Sequence, residues 1–178
     1  DDGKVYHFTV RKPDKAFVAG ELNKEYTYPQ GKYKVVTGIT NETEAPAIFK
    51  HKGTYYLLGS GSSGWKPNAA RIFTSKSITG DYTEKSNPCH GVNPYNGLGP
   101  EKTFGGQSSF IIPVQGKKNS YIAMFDIWKP EMPIEGLYIW LPIKIQTNSI
   151  NIKWRDEWNL NIFSDEKKII PPLPTSIY

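Results

Sequence analysis

Two polar residues stand at matching places in this sequence. Glu44 precedes Ala45-Pro46-Ala47-Ile48-Phe49, and Gln107, 63 positions later, precedes Ser108-Ser109-Phe110-Ile111-Ile112. Each run then meets a turn, at Lys52-Gly53 or at Gly116-Lys117-Lys118, and an aromatic strand over 54–58 or 120–125. A carboxyl at the start of such a strand sits partly desolvated beside aromatic rings. Desolvation raises a carboxyl pKa, which suits a general acid near neutral pH. The other reading of Glu44 is an exposed loop glutamate, given its neighbours Asn41, Glu42 and Thr43. Gln107 follows Thr103-Phe104-Gly105-Gly106, and paired glycines let a backbone come close to a ligand. A neutral amide there is a substrate hydrogen-bonder or a group that satisfies strand-end backbone.

Trp65 lies in Gly59-Ser60-Gly61-Ser62-Ser63-Gly64-Trp65-Lys66-Pro67-Asn68. A tryptophan on a polar, glycine-rich loop is hard to explain as core. A ring face offered to the C–H surface of a sugar explains it, with Asn68 and Arg71 as hydroxyl contacts. The segment lacks the Gly-Lys-Ser/Thr ending and the following helix of a phosphate loop. Asp126 with Trp128, and Tyr138 with Trp140, recur near strand ends and read either as core or as sugar contacts. Trp154 and Trp158 are assigned to core. His7, His51 and His90 show no ligand spacing, and His51, beside a turn, is expected to be exposed. No metal site is assigned, and no serine sits in a nucleophile elbow.

The elements that must position these residues are strands. The dominant period is two, over 4–10, 17–22, 32–36, 47–49, 54–58, 70–74, 109–114, 121–125, 138–141 and 150–154. Sixteen Gly and fourteen Pro in 178 residues punctuate them, which favours short strands over long helices. The 63-residue repeat selects a β-propeller, with units near 1–40, 41–100 and 101–163. In such units the inner strand begins beside a central axis, so Glu44 and Gln107 are expected to face one cavity. A three-sheet β protein whose hairpins match by chance is the alternative. The stretch 87–102 reads as a long Gly/Pro/Asn-rich loop, and 164–178 as a Pro-rich C-terminal arm or linker.

Composition narrows the function classes. Hydrophobic residues at 38% with 13% aromatics argue against disorder. A net charge of +5 without a run of like charges gives no reason to expect nucleic acid or membrane as partners. The single Cys89 excludes an internal disulfide and a cysteine-based zinc site.

Several segments, in order, resemble glycoside hydrolase family 43. They are Glu44-Ala-Pro-Ala-Ile-Phe-Lys-His-Lys-Gly-Thr-Tyr-Tyr-Leu-Leu, Gly64-Trp65-Lys66-Pro67-Asn68, and Thr103-Phe104-Gly105-Gly106-Gln107-Ser108-Ser109. Tyr138-Ile-Trp-Leu-Pro-Ile143, Trp154 with Trp158-Asn-Leu160, and Asp1-Asp2-Gly3-Lys4-Val5-Tyr6 are also similar. The likeness is to the branch with exo-β-1,3-galactanases. It implies an all-β, five-bladed propeller, of which 1–163 supplies about three blades as a partial catalytic domain. It implies inverting hydrolysis of glycosidic bonds in plant-type galactan, arabinan or xylan side chains, with a secreted or periplasmic location. Glu44 matches the family's general acid. Gln107 matches a glutamine that acts as base through its imidic acid form. The positions of the family's base and pKa-adjusting aspartates fall before Asp1. An isolated chain is therefore expected to be poorly active, with self-association as one way to cover exposed blade faces. A carbohydrate-binding pseudoenzyme without turnover is the alternative. No cofactor is implied, although some family members hold an axial calcium ion.

Overall fold

The computed structural model describes residues 3–31, 33–40 and 42–164. The turn expected at Asp1-Asp2 and, apart from Ser164, the C-terminal arm lie outside them. Three sheets follow one another along the chain. The first has the order β1 (Tyr6–Arg11), β2 (Ala16–Glu21), β3 (Lys34–Val35). The second has the order β4 (Thr43–His51), β5 (Thr54–Gly61), β6 (Ala70–Ser75), β7 (Thr83–Lys85). The third contains β8 (Cys89–His90), β9 (Gln107–Pro113), β10 (Tyr121–Ile127), β11 (Leu137–Ile145) and β12 (Ile150–Lys153), ordered β8-β12-β11-β10-β9. All pairings are antiparallel except β12 with β8.

Local chemistry explains the hairpins. Lys52 (φ 45°) and Gly53 (φ 74°) both take the left-handed region that a two-residue hairpin turn needs. His51 then pairs with Thr54, and the ladder runs back toward Glu44. A 3-10 helix (Pro100–Gly105) starts with proline and ends on two non-glycine residues in the left-handed region, Thr103 (φ 48°) and Phe104 (φ 60°). Phe104 is fully buried against Trp154, which holds that backbone in place.

Two clusters form the core, one on each side of the second sheet. Phe17, Ala19, Val36 and Ile39 meet Leu57, Phe73 and Tyr82 between the first and second sheets. Ala47, Phe49, Tyr56, Leu58 and Ile72 meet Ile111, Ala123, Phe125, Ile139 and Leu141 between the second and third. Cys89 belongs to this second cluster, and burial pushes its thiol up to about 12.

Three expectations are corrected. The second unit ends at Lys85, not near residue 100, because β8 adds to the third sheet beside β12. The presumed loop 87–102 carries a strand and the first half of a 3-10 helix. His51 is not exposed; it keeps 9% of its surface, covered by Tyr121 of the third sheet.

Candidate functional site

Glu44 is the second residue of β4 and Gln107 the first of β9, and both strands carry a bulge just after them. In β4 the register shifts between Glu44 and Ala47, so that Ala45 and Pro46 oppose Gly59 alone. In β9 it shifts between Ser108 and Phe110. A bulge adds one residue and re-aims the side chains beside it. Ala45 takes φ 51°, a left-handed value that an alanine adopts only under constraint. The constraint is visible: the Ala45 carbonyl accepts a 2.7 Å hydrogen bond from Ser108 Oγ. These residues are themselves repeat partners, 63 apart, so the two strands are joined at equivalent points.

The side chains converge on the end of β5. Glu44 pairs across the ladder with Ser60. Gln107 Nε2 donates to Ser60 Oγ at 2.9 Å, and Ser62 Oγ donates to Glu44 Oε1 at 2.8 Å. Ser60 is the penultimate residue of β5 and Ser62 follows directly after its end, so the two hydroxyls are two residues apart. Gly59 allows this crowding, since a Cβ there would meet the Glu44 carbonyl oxygen at 2.9 Å.

Aromatic rings stand over Gln107. Trp128 Nε1 donates to Gln107 Oε1 at 3.2 Å, and the Trp65 and Trp128 rings lie 5.1 Å apart at 57°. Trp65 and Trp128 remain 62% and 50% exposed, which is unusual for tryptophan and leaves ring surface for a ligand. A hollow of about 30 Å³ between Ser60, Asn68, Gly106 and Gln107 opens beneath them. A larger one of about 430 Å³ shares Trp65 and Trp128 and continues past Asp126 to Tyr138. Glu44 lines neither hollow, so the single cavity expected to be shared by Glu44 and Gln107 is corrected: Gln107 walls the smaller one, while the Glu44 carboxylate is held beside it by Ser62.

The remaining expected contacts divide. Asn68 pins the Trp65 loop: its Oδ1 accepts from Gly61 N, and its Nδ2 donates to Gly61 O and Ser63 Oγ. Asp126 pairs with Gln107 across β9 and β10. Arg71 is committed elsewhere, with Nε and Nη2 on the Glu84 carboxylate at 2.9 and 3.1 Å and Nη1 on Thr43 Oγ1. Trp140 lines a separate hollow of about 460 Å³ with Tyr138, Trp154 and Trp158. Trp154 packs on the core as expected, whereas Trp158 is half-buried, donating to the Trp140 carbonyl. Ser60 and Ser62 are the residues that sequence reasoning passed over. Counting back from the Lys52-Gly53 turn pairs Glu44 with Gly61; only the bulge moves it to Ser60.

Comparison with solved structures gives this arrangement a context. A glycoside hydrolase family 43 β-1,3-galactosidase solved with galactodeoxynojirimycin is 39% identical over 89% of this chain, with a TM-score of 0.78. A second β-1,3-galactosidase of that family is 32% identical over 91% of the chain, with a TM-score of 0.80. An exo-β-1,3-galactanase from Clostridium thermocellum is 28% identical over 85%, with a TM-score of 0.68. The chain spans 44%, 33% and 32% of the lengths of these three structures. No family model and no curated protein matches the sequence. With its ordered motifs and its three sheets superposing on those enzymes, the chain belongs to glycoside hydrolase family 43.

Proposed function

We propose that this chain carries the acid-bearing part of a propeller glycosidase site that cleaves β-1,3-linked galactosides with inversion. The observation that carries the reading is that Glu44 and Gln107 are held at neighbouring points of one chain segment, by Ser62 and Ser60, with the Trp65–Trp128 pair over Gln107. Glu44 donates its proton to the leaving glycosidic oxygen. Water attacks the anomeric carbon from the opposite face, which is what inversion requires. Gln107 orients that water, and as an imidic acid its nitrogen accepts the water's proton. Trp65 and Trp128 take the apolar face of the sugar ring. The galactosidase solved with galactodeoxynojirimycin supports galactose as the sugar.

A second reading, saccharide binding without turnover, is favoured by one feature: the residue opposite Glu44 is an amide, not a carboxylate. The two are separated by release of galactose from β-1,3-galactotriose. Glu44→Gln is expected to lower turnover by about 10² to 10⁴ while binding is retained; equal turnover in the variant overturns the acid role. Binding of the trisaccharide by calorimetry, lost in Trp65→Ala, with no hydrolysis in the parent chain, selects the second reading.

A further inference from the structure

β4 begins near Glu44 and ends at His51, about 23 Å away at strand spacing. At that far end a hollow of about 690 Å³ lies between the second and third sheets. Its wall includes His51, Lys52 of the β4–β5 turn, Lys76 just after β6, and Lys144 on β11. Asn119 and Gln146 add amides, and among the described residues no aspartate or glutamate joins the wall. Lys76 is already held in place, donating to Thr54 Oγ1 at 2.7 Å.

His51 forms the buried part of that wall. It is nine-tenths buried, its ring meets Tyr121 edge-on at 5.9 Å, and its Nδ1 is enclosed without a hydrogen-bond partner among the described residues. The enclosed Nδ1 is not open to the hollow, so His51 and Tyr56 contribute a low-dielectric wall to a hollow whose charged groups, among the described residues, are all cationic. A concavity of one sign with a low-dielectric wall concentrates the opposite ion.

We infer that this hollow is an oxyanion site, taking a carboxylate, sulfate or phosphate group, free or borne on a saccharide. The lysines supply charge-assisted hydrogen bonds from both sheets, so a bound anion also ties the two together. The site is remote from Glu44 and stands whether or not the glycosidase reading holds.

The test is an NMR titration of the chain with sodium sulfate and sodium phosphate, against sodium chloride at equal ionic strength. Parallel arms use oligogalacturonate and neutral β-1,3-galactotriose. Saturable binding of at least one oxyanion is expected, with the His51 and Lys144 resonances moving. Lys52→Ala and Lys144→Ala should each weaken it about tenfold, the loss of one charge-assisted hydrogen bond. Both lysines are exposed, so these variants fold even if His51→Phe does not. Glu44→Gln should leave the affinity unchanged. Binding of sulfate or phosphate as tight as that of oligogalacturonate identifies a free ion, and oligogalacturonate alone a polymer-borne group. No saturation beyond chloride by any oxyanion, or affinity untouched by both lysine substitutions, overturns the inference.

Discussion

The second and third sheets are built from one repeating hairpin, yet they live in different surroundings. The second is covered on both faces, by the first sheet through Leu57 and Phe73 and by the third through Phe49, Tyr56 and Leu58. The third packs Ile111, Phe125 and Leu141 against the second on one face, while its other face buries Ile122 and Pro142 but leaves larger rings exposed. On its other face the register sets Phe110, Met124 and Trp140 in one row, and Phe110 is 58% exposed. Its repeat partner, Ala47, is 3% exposed. A repeat thus dictates strand and turn, but the neighbouring sheet decides what each face is worth.

Truncating one aromatic from each sheet breaks or confirms that contrast. Phe73→Ala removes a ring with no exposed surface and is expected to cost about 3–5 kcal/mol. Phe110→Ala should stay within about 0.5 kcal/mol. Urea denaturation with a common m-value measures both. Similar losses at the two positions would mean that the outer face of the third sheet is covered after all.

The next effect concerns the joint between the sheets. Gly59→Ala forces a Cβ to within 2.9 Å of the Glu44 carbonyl oxygen and 3.1 Å of Thr43 Cγ2. Both neighbours are held, one in a bulge and the other fully buried, so overpacking of about 1–3 kcal/mol is expected. Thermal unfolding and urea denaturation read the loss. Ser108→Ala deletes only the hydroxyl on the Ala45 carbonyl, an effect of about 1 kcal/mol. If the bulge at Ala45 stands without its neighbour, Ser108→Ala will be silent while Gly59→Ala is not.

The same joint marks where the sequence could be read and where it could not. Alternation of apolar residues and a Lys-Gly turn located the hairpins, and the 63-residue spacing brought Glu44 and Gln107 into correspondence. Those are local signals. The bulges were not legible, because nothing in Glu44-Ala45-Pro46 announces a left-handed alanine. It is held there by a serine from another sheet. β8 was missed for a related reason: two residues pair with β12, a strand some sixty positions later. His51 looked exposed beside its turn, yet Tyr121 from the third sheet covers it. Arg71 suggested a ligand contact until Glu84 of β7, itself too short to show a pattern, took its guanidinium.

That ion pair yields the smallest expected effect, and one found within the second sheet. Arg71 lowers the pKa of Glu84 by its hydrogen bonds, with Thr40 Oγ1 adding another. The Glu84 side chain is 42% exposed, so solvent screens the pair and its worth is roughly 0–1 kcal/mol. The sign follows from the direction of the shift. A carboxyl with a lowered folded-state pKa contributes its stability fully above the unfolded value, near 4.3, and loses it as pH falls through the folded one. Arg71→Met should therefore destabilise the chain slightly at pH 7, with a gap that closes as pH falls below about 4. Urea midpoints of parent and variant across pH 7 to 3 read this directly. A gap that stays constant over that range would show that Arg71 acts through its packing on Phe73 and its bond to Thr43, and the pair itself would then contribute nothing to holding β6 against β7.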